Sequence, residues 1–479
     1  MSKMLKYSLL FAIATLVSRG FGLIRDVVLA HEFGAGYEFD AYVIAISFPF
    51  LLRRSFAEGA MTSAFLPLYN EKGKSNEFAS AVITSLGLIA LILTICVELF
   101  PQIVPTMFSS GASENTVLLA SKLVRITMPF LIAIFLWSVL YGILNSHGKF
   151  FLAALSPVMM NIGIITFTLL LKNIKEPIFG PAIGFVTGGI MMFLLLLPVA
   201  LKIGFRYKPT LKGIGEFFSL FIPAFLTMAL SQINTVVDIN VASFLKAGSV
   251  SVMQYANRLY QLPFGIFGIA MSTVVLPVLV NERSKYQEHL SEGVMLSLFL
   301  TVPAAVGLGV ISKPLVSLIY EHGAFTATDT ALTGNVLLFY ALGLPFYSTT
   351  AVLSRAYHAK KNMRTPFRAT LISVSLNVVL DVVFARLIGV AGIALATSVA
   401  GVTSTLYLWK ISPTFDLKRF SKIICASTLM GIIVAAINSL HASRLWTLLM
   451  VCLGALSYLA FCRMFHLEEV QQIKKIFRK

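Results

Sequence analysis

The sequence predicts an all-α polytopic membrane protein: about fourteen transmembrane helices, in two pseudo-symmetric six-helix lobes followed by two C-terminal helices. Three observations carry that prediction. The 479 residues are 57% hydrophobic and only 12% charged, with a mean hydropathy of +0.85, whereas soluble domains carry roughly 25% charged residues. Apolar runs of about 20 residues, enough to cross roughly 30 Å of hydrocarbon as a helix, recur from end to end. Landmarks in the first part of the chain also return in the second at nearly constant spacing.

Taken in order, the first span, 5–30, starts with Lys3, Lys6 and "KYSLLFAIATLV", the basic and apolar parts of a signal peptide. An arginine follows where a small-residue cleavage site would stand, so it reads as a retained helix. The second, 39–69, holds Asp40 and "LLRRSFAEGA". Spans 78–107, 116–145, 150–172 and 179–203 complete a first lobe over 1–205. A basic, amphipathic linker, 206–214, is expected to lie on the anionic inner leaflet. Spans 215–245, 249–281, 290–311, 328–358, 365–388 and 390–411 form a second lobe over 215–412. Two more, 420–440 and 444–465, make an appendix over 413–466, and 467–479 is a basic tail. Spans longer than the bilayer must tilt or project.

The duplication is visible as register. Arg25-Asp26 precedes Val237-Asp238 by 212 positions, and "LPLYNEKGK" at 66–74 resembles "LPVLVNERSK" at 276–285. Pro129-Phe130, Tyr141 and Asn161 recur as Pro345-Phe346, Tyr357 and Asn377, all displaced by 216. An even number of spans per half makes the repeat parallel, a plan used by transporters that expose a mid-membrane site to each side in turn.

The net charge of +17 is a topology signal rather than a nucleic-acid footprint. Its clusters (Lys3 and Lys6; Lys202 to Lys212; Lys360 to Arg368; Lys410 to Lys422; Lys474 to Lys479) all fall on one side of a fourteen-span chain, while loops such as "SSGASENT" are neutral or acidic. The positive-inside rule then puts both termini in the cytoplasm. The four cysteines lie in apolar runs without metal-ligand spacing. Nucleotide hydrolysis is not expected as the energy source, because "EKGKS" at 71–75 has Leu68 where a phosphate-binding loop needs its earlier glycine.

Against this apolar background the intramembrane charges stand out, each costing about 2.5–3.5 kcal/mol at mid-bilayer on insertion scales. "SRGFGLIRD" places Arg19, Arg25 and Asp26 in the first span, with Arg19 and Asp26 on one face. The second span carries Asp40, Arg53, Arg54 and Glu58, the last two spaced for an ion pair along the helix. Arg258 lies in the eighth, within "QYANRLYQLPFG". Pairing of Arg25 with Asp40, Arg54 with Glu58 and Arg19 with Asp26 would satisfy part of the set. Arg53 and Arg258 are left facing the presumed cavity, suited to gripping a phosphate by parallel hydrogen bonds. A second, acidic set, Asp238, Asn377, Asp381 and Thr397, offers oxygen donors at similar depth for a hard monovalent cation, sodium, or a proton. The competing reading pairs Asp381 with Arg386 or Arg355 and uses Asn377 and Thr397 as helix-to-helix bonds.

"SRGFGLIRD", "FGAGYEFDAY", "LLRRSFAEGAMTSAFLPLYNE" and "AGSVSVMQYANRLYQLPFGIFGIAMSTVVLPVL" resemble the MurJ (MviN) family of lipid II flippases, within the multidrug/oligosaccharidyl-lipid/polysaccharide exporter superfamily. The resemblance covers nearly the whole chain. It implies alternating access and passage of lipid-linked peptidoglycan precursor from the cytoplasmic to the outer leaflet of a bacterial inner membrane. It also implies a charged cavity made by Arg19, Arg25, Asp26, Asp40, Arg53, Arg54, Glu58 and Arg258, whose arginines meet the pyrophosphate and head group, and a tail groove formed by the helices at 420–465. No cofactor is expected beyond a bound Na+. Lipid-linked precursor and membrane lipids are the expected partners, with other cell-wall synthesis proteins as further candidates and no nucleic acid.

The rivals are a drug or oligosaccharide-lipid antiporter of the same superfamily, which predicts fewer arginines, and a membrane enzyme acting on polyprenyl phosphates, which needs an aqueous loop larger than any here. A structural scaffold leaves the buried charges unexplained. The expected class is therefore a transporter, not an enzyme.

Overall fold

The computed structural model describes residues 3–411, 413–440, 444–467 and 469; the side chains of 3–12, 57, 58, 231, 270, 283, 440, 444 and 445 lie outside the described set. Among the described residues there is helix and no strand, as backbone polar groups in hydrocarbon require. Among the described residues, eleven helices are long and apolar enough to cross a membrane, or twelve if the bent pair Glu114–Thr127 and Phe130–Ser146 is one span. Fourteen would need two more, Lys3–Phe33 and the series Tyr37–Glu71, which carry Arg19, Arg25, Asp26, Asp40, Arg53, Arg54 and Glu58.

By contacts the chain divides into two units, Met1–Ser251 and Val252–Lys479. This division follows packing, whereas the boundary at 206–214 follows sequence register.

The first unit opens with α1 (Lys3–Phe33). Next, α2 (Tyr37–Arg53) runs through a π-helical stretch, Arg54–Ala60, into α3 (Met61–Glu71). Ser75 caps α4 (Asn76–Leu99) by accepting from the Phe78 N–H. On α4, Leu88, Leu91, Ile92 and Ile95 are exposed, one helical stripe turned outward as lipid contact demands. The short α5 (Ile103–Phe108) leads to α6 (Glu114–Thr127), capped by Ser113, and α7 (Phe130–Ser146). Pro129 sits at the 43° bend between those two.

The helices α8 (Phe150–Leu155), α9 (Val158–Leu170) and α10 (Phe179–Lys202) close the first six-span half. A Cβ on Gly163 would lie 2.6 Å from the Gly184 carbonyl oxygen, and one on Gly188 2.6 Å from Met160 Cα, so α9 and α10 touch backbone to backbone through small residues. Residues 205–213 are not helical. This linker lies along α4: the Lys208 N–H donates to Ser80 Oγ at 3.1 Å, Tyr207 and Thr84 hydroxyls meet at 3.0 Å, and Asn76 Nδ2 donates to the Gly204 carbonyl at 3.0 Å.

Beyond the linker, α11 (Gly215–Ser231) joins the first unit by aromatic packing. Phe56 lies 5.2 Å from Phe221 and 4.4 Å from Phe225 between ring centroids. The chain breaks at Gln232 before α12 (Ile233–Ser243), whereas its repeat, α1, is continuous.

In the second unit, α13 (Ser249–Pro263), whose first three residues belong to the first unit, continues through a second π-helical stretch, Phe264–Ile269, into α14 (Ala270–Asn281). The two π-helical stretches are 210 positions apart, the same offset as the two "LP" motifs. Then come α15 (Tyr286–Val310), α16 (Ser312–Tyr320) and α17 (Ala327–Ala359), the last begun by a Thr326–Asp329 capping box. Gly389, at φ 66°, turns α18 (Arg364–Ile388) into α19 (Val390–Leu408). The added helices α20 (Leu417–Leu440) and α21 (Arg444–Met464) pack on α15. There Met430, Val434, Met450 and Tyr458 join Phe299 in one apolar cluster, and the Tyr458 hydroxyl donates to the Phe299 carbonyl at 2.8 Å.

Candidate functional site

Within the first unit, α1 packs on α9, and this contact organises the charges of "SRGFGLIRD". Arg25 and Asp26 are 6% and 7% exposed. Arg25 Nη2 and Nε donate to Asp26 Oδ1 at 2.6 and 3.0 Å, and Nη1 donates to Asn161 Oδ1 at 3.0 Å. Asn161 Nδ2 reaches back to the Ser18 carbonyl at 3.3 Å. The network therefore pairs a positive with a negative charge and ties α9 to α1 at two levels.

Two of the pairings read from helical faces are replaced by this arrangement. Asp26 pairs with its neighbour Arg25 rather than with Arg19, because a long arginine can fold back on the adjacent carboxylate although i and i+1 positions point about 100° apart. Arg19 is half-buried and makes no ion pair among the described residues. Asp40 does not take Arg25 either. It is buried, and Oδ2 accepts from the Gly248 N–H at 2.6 Å while Oδ1 accepts from the Ser251 N–H at 2.7 Å and the Ser251 hydroxyl at 2.5 Å. Asp40 thus caps the first turn of α13 from a different helix, satisfying N–H groups that a helix start leaves open.

Arg53 ends α2 and is buried. Its guanidinium lies 5.9 Å from the Phe50 ring centroid, and Nη1 is 3.3 Å from Met160 Sδ. Both are contacts that a guanidinium tolerates in an apolar setting. Arg54 is exposed and donates to Gln232 Oε1 at 3.3 Å. The Glu58 side chain lies outside the described residues, and with it the Arg54–Glu58 pairing. Arg258 belongs to the second unit, half-buried on α13.

Of the acidic set, the second unit brings together Asn377 and Asp381, both fully buried, with Asn377 Nδ2 donating to Asp381 Oδ1 at 3.2 Å. Asn377 Oδ1 has no hydrogen-bond partner among the described residues. Facing α19 carries Thr397, whose hydroxyl donates to the Ile393 carbonyl at 3.0 Å. Two contacts between these helices, Ser373 Oγ to the Ala400 carbonyl at 2.8 Å and Gly392 against the Phe384 carbonyl, bracket the stretch that holds all three. Asp238 lies half-buried on α12, in the first unit.

Sequence reasoning did not assign functional roles to Asn161, Met160, Phe50, Gly248 or Ser251. For Asn161 the signal was present: it is the repeat of Asn377. The Asp40 cap carries no local signal, since its acceptor and donors are 208 and 211 positions apart.

Membrane-length helices built in duplicate, with guanidinium and carboxylate groups buried among them, define a polytopic membrane transporter for a charged solute. The chain matches the family described as lipid II flippase MurJ over residues 29–459, and it belongs to that family. It is 43% identical over 473 residues to a probable lipid II flippase MurJ of Thermotoga maritima, covering 98% of each chain. It is 45% identical over 468 residues to the lipid II flippase MurJ of Thermosipho africanus, covering 97% of each. A solved structure of lipid II flippase MurJ in an inward closed conformation superposes with a TM-score of 0.89 at 45% identity, over 96% of this chain and all of that one.

Proposed function

We propose that this protein is a transporter that flips lipid II, the lipid-linked peptidoglycan precursor, across the membrane, and that its intramembrane arginines receive the pyrophosphate. The observation that carries this reading is the coincidence of family membership over nearly the full length with arginines held inside apolar helices at Arg19, Arg25 and Arg53. Guanidinium groups keep their charge in a low-dielectric setting and match phosphate geometry. Arg19 and Arg53, and Arg258 in the second unit, are the proposed ligands, with Arg54 and, on sequence grounds, Glu58 as further members. Arg25, Asp26 and Asp40 shape and hold it. The direction is from the cytoplasmic to the outer leaflet of the bacterial inner membrane, with both termini inside.

The outward-facing apolar residues of α21, Leu448, Leu449, Leu456 and Leu459 among them, favour a groove for the polyprenyl tail on the two added helices. Transport is driven by a cation gradient or membrane potential. Sodium binding at Asn377, Asp381 and Thr397, with Asp238 as a further ligand on sequence grounds, biases the return step through its different affinity for the two states. The donor set suits that ion: hard oxygens, full burial at Asn377 and Asp381, and an amide oxygen at Asn377 without a hydrogen-bond donor among the described residues. Other cell-wall synthesis proteins are candidate partners.

Exposure of lipid II on the outer face of cells depleted of the protein tests the main reading; unchanged exposure ends it. For the ion, sodium should raise the thermal stability of the wild type and leave Asp381→Ala unaffected. Equal stabilisation of both removes sodium from the scheme.

A further inference from the structure

We infer that the turn between α4 and α6 holds a structural phospholipid with a zwitterionic head, its phosphate on Arg125, its ammonium on Glu98 and its acyl chain along α5. The inference does not depend on the cargo: none of the arginines assigned to the pyrophosphate lines this site.

A short piece of chain builds the site. Pro101 keeps Phe100 out of the helical region, so α4 ends at Leu99. The chain then turns into α5, which is apolar on both faces. Val104, Pro105 and Phe108 are buried, with the Phe108 ring edge-on to Phe48 of α2 at 6.4 Å between centroids. Ile103 and Met107, one turn apart on the other face, are exposed, as are Leu99 and Phe100 before them. Together with Arg125 of α6 these four line a cavity of about 620 Å³, within the range of roughly 300–1,000 Å³ that small-molecule sites occupy. The positive-inside topology sets this turn at the outer surface, level with the lipid head groups. A contiguous apolar lining at that level is covered by lipid chains rather than by water.

The two charges at the rim select the head group. Arg125 is exposed and makes no side-chain hydrogen bond or ion pair among the described residues. Glu98, half-buried in the last turn of α4, is close enough to feel the Arg125 charge without forming a salt bridge to it. An unbridged guanidinium beside a carboxylate is the complement of a phosphoethanolamine head. The phosphate takes the guanidinium by parallel hydrogen bonds, and the primary ammonium donates to the carboxylate. An anionic head would set a second negative charge against Glu98, and a quaternary ammonium has no proton to donate. The same short helix also holds α12. Met107 lines the cavity, and its carbonyl accepts from Asn240 Nδ2 at 3.4 Å. The Ser110 hydroxyl donates to Asn240 Oδ1 at 3.2 Å and the Gly111 N–H to Ser243 Oγ at 3.1 Å. A lipid that steadies α5 therefore steadies its junction with α12.

Native mass spectrometry of the full-length purified protein tests this. The protein is stripped of lipid and titrated with phosphatidylethanolamine, phosphatidylcholine or phosphatidylglycerol of identical acyl chains. Wild type should retain one phosphatidylethanolamine about threefold more tightly than either of the others, the worth of one exposed charge pair. Arg125→Gln should abolish that preference while leaving the Tm in lipid-free detergent unchanged. Glu98→Gln should transfer the preference to phosphatidylglycerol, since a guanidinium alone favours the more negative head. Such a change of selectivity is not produced by a merely loosened fold. Equal retention of all three lipids by the wild type, as for ordinary annular lipid, overturns the inference. An unchanged preference in Arg125→Gln or in Glu98→Gln overturns it as well. Should the stripped protein aggregate, wild type and Arg125→Gln are compared by Tm in nanodiscs of each lipid. Phosphatidylethanolamine should then stabilise the wild type more than the variant, and equal stabilisation overturns the inference.

Discussion

Asp40 and Gly248 are joined by a 2.6 Å hydrogen bond in which a glycine N–H at a turn donates to a buried carboxylate from another helix. Gly248 has φ 91°, and a Cβ there would run into the Ala35 carbonyl. The backbone geometry and the cap therefore demand the same residue. Replacing the carboxylate by Asp40→Ala leaves two N–H groups without their acceptor and the Ser251 hydroxyl with its longer, 3.4 Å contact to the Gly36 carbonyl, and should cost about 2–4 kcal/mol, more than the ~1 kcal/mol of an ordinary surface cap. Asp40→Asn keeps one acceptor and should cost less. Gly248→Ala should destabilise at least as much as Asp40→Asn. Thermal unfolding in detergent reads all three.

Asn161 accepts from Arg25 and donates to Ser18. Asn161→Leu removes both bonds and leaves a buried guanidinium short of an acceptor, a loss of about 2–3 kcal/mol because the bond involves a charged group. Asn161→Asp restores the acceptor and should recover most of the Arg25 contact. Comparable stability of the leucine and aspartate variants would show that the α1–α9 network contributes little.

Arg53 and Arg54 are neighbours with opposite settings, one buried beside Phe50 and Met160, the other exposed with a 3.3 Å bond to Gln232. Arg53→Met preserves the packing volume and removes the charge. It should fold, yet lower complementation of flippase-depleted cells by about tenfold or more, equivalent to ~1.4 kcal/mol of lost phosphate recognition. Arg54→Ala should change stability by no more than about 0.5 kcal/mol and have the milder effect on complementation. Full activity of Arg53→Met at normal membrane levels would remove Arg53 from substrate recognition.

Gly184 meets Gly163 where α9 and α10 cross, and a Cβ there would press on backbone rather than on a movable side chain. Gly184→Val should force the helices apart, costing about 3 kcal/mol or more and cutting the folded yield in membranes. Gly36, whose Cβ would meet nothing within 4 Å, is the control, with Gly36→Ala expected to be nearly silent.

Much of this architecture was legible in the residues. Hydropathy marked the spans, and constant offsets marked the duplication; both are properties that helices in lipid must display locally. What stayed hidden depends on tertiary contact. Nothing near Asp40 points to Ser251, and nothing near Met160 points to Arg53, because those neighbours are set by how α2, α9 and α13 fold together. The Arg25–Asp26 pair was hidden for a different reason. Face-based reading treats side chains as rigid spokes, and an arginine is long enough to double back. The linker was legible as basic and not as an extended strip bonded to α4, since its partners Ser80 and Thr84 lie more than a hundred positions earlier.

The wide turns at 54–60 and 264–269 bear on how such a helix can be re-aimed. Each inserts about one residue beyond the ordinary count per turn, which rotates everything downstream by roughly 100° relative to an uninterrupted α-helix. The membrane span is thus two half-screws set at different angles, and the widened turn can in principle be passed along the rod one step at a time. A single-residue deletion there would act on this protein less as a shortening than as a twist, swinging Met61–Glu71 or Ala270–Asn281 onto a new bearing while the other half keeps its own.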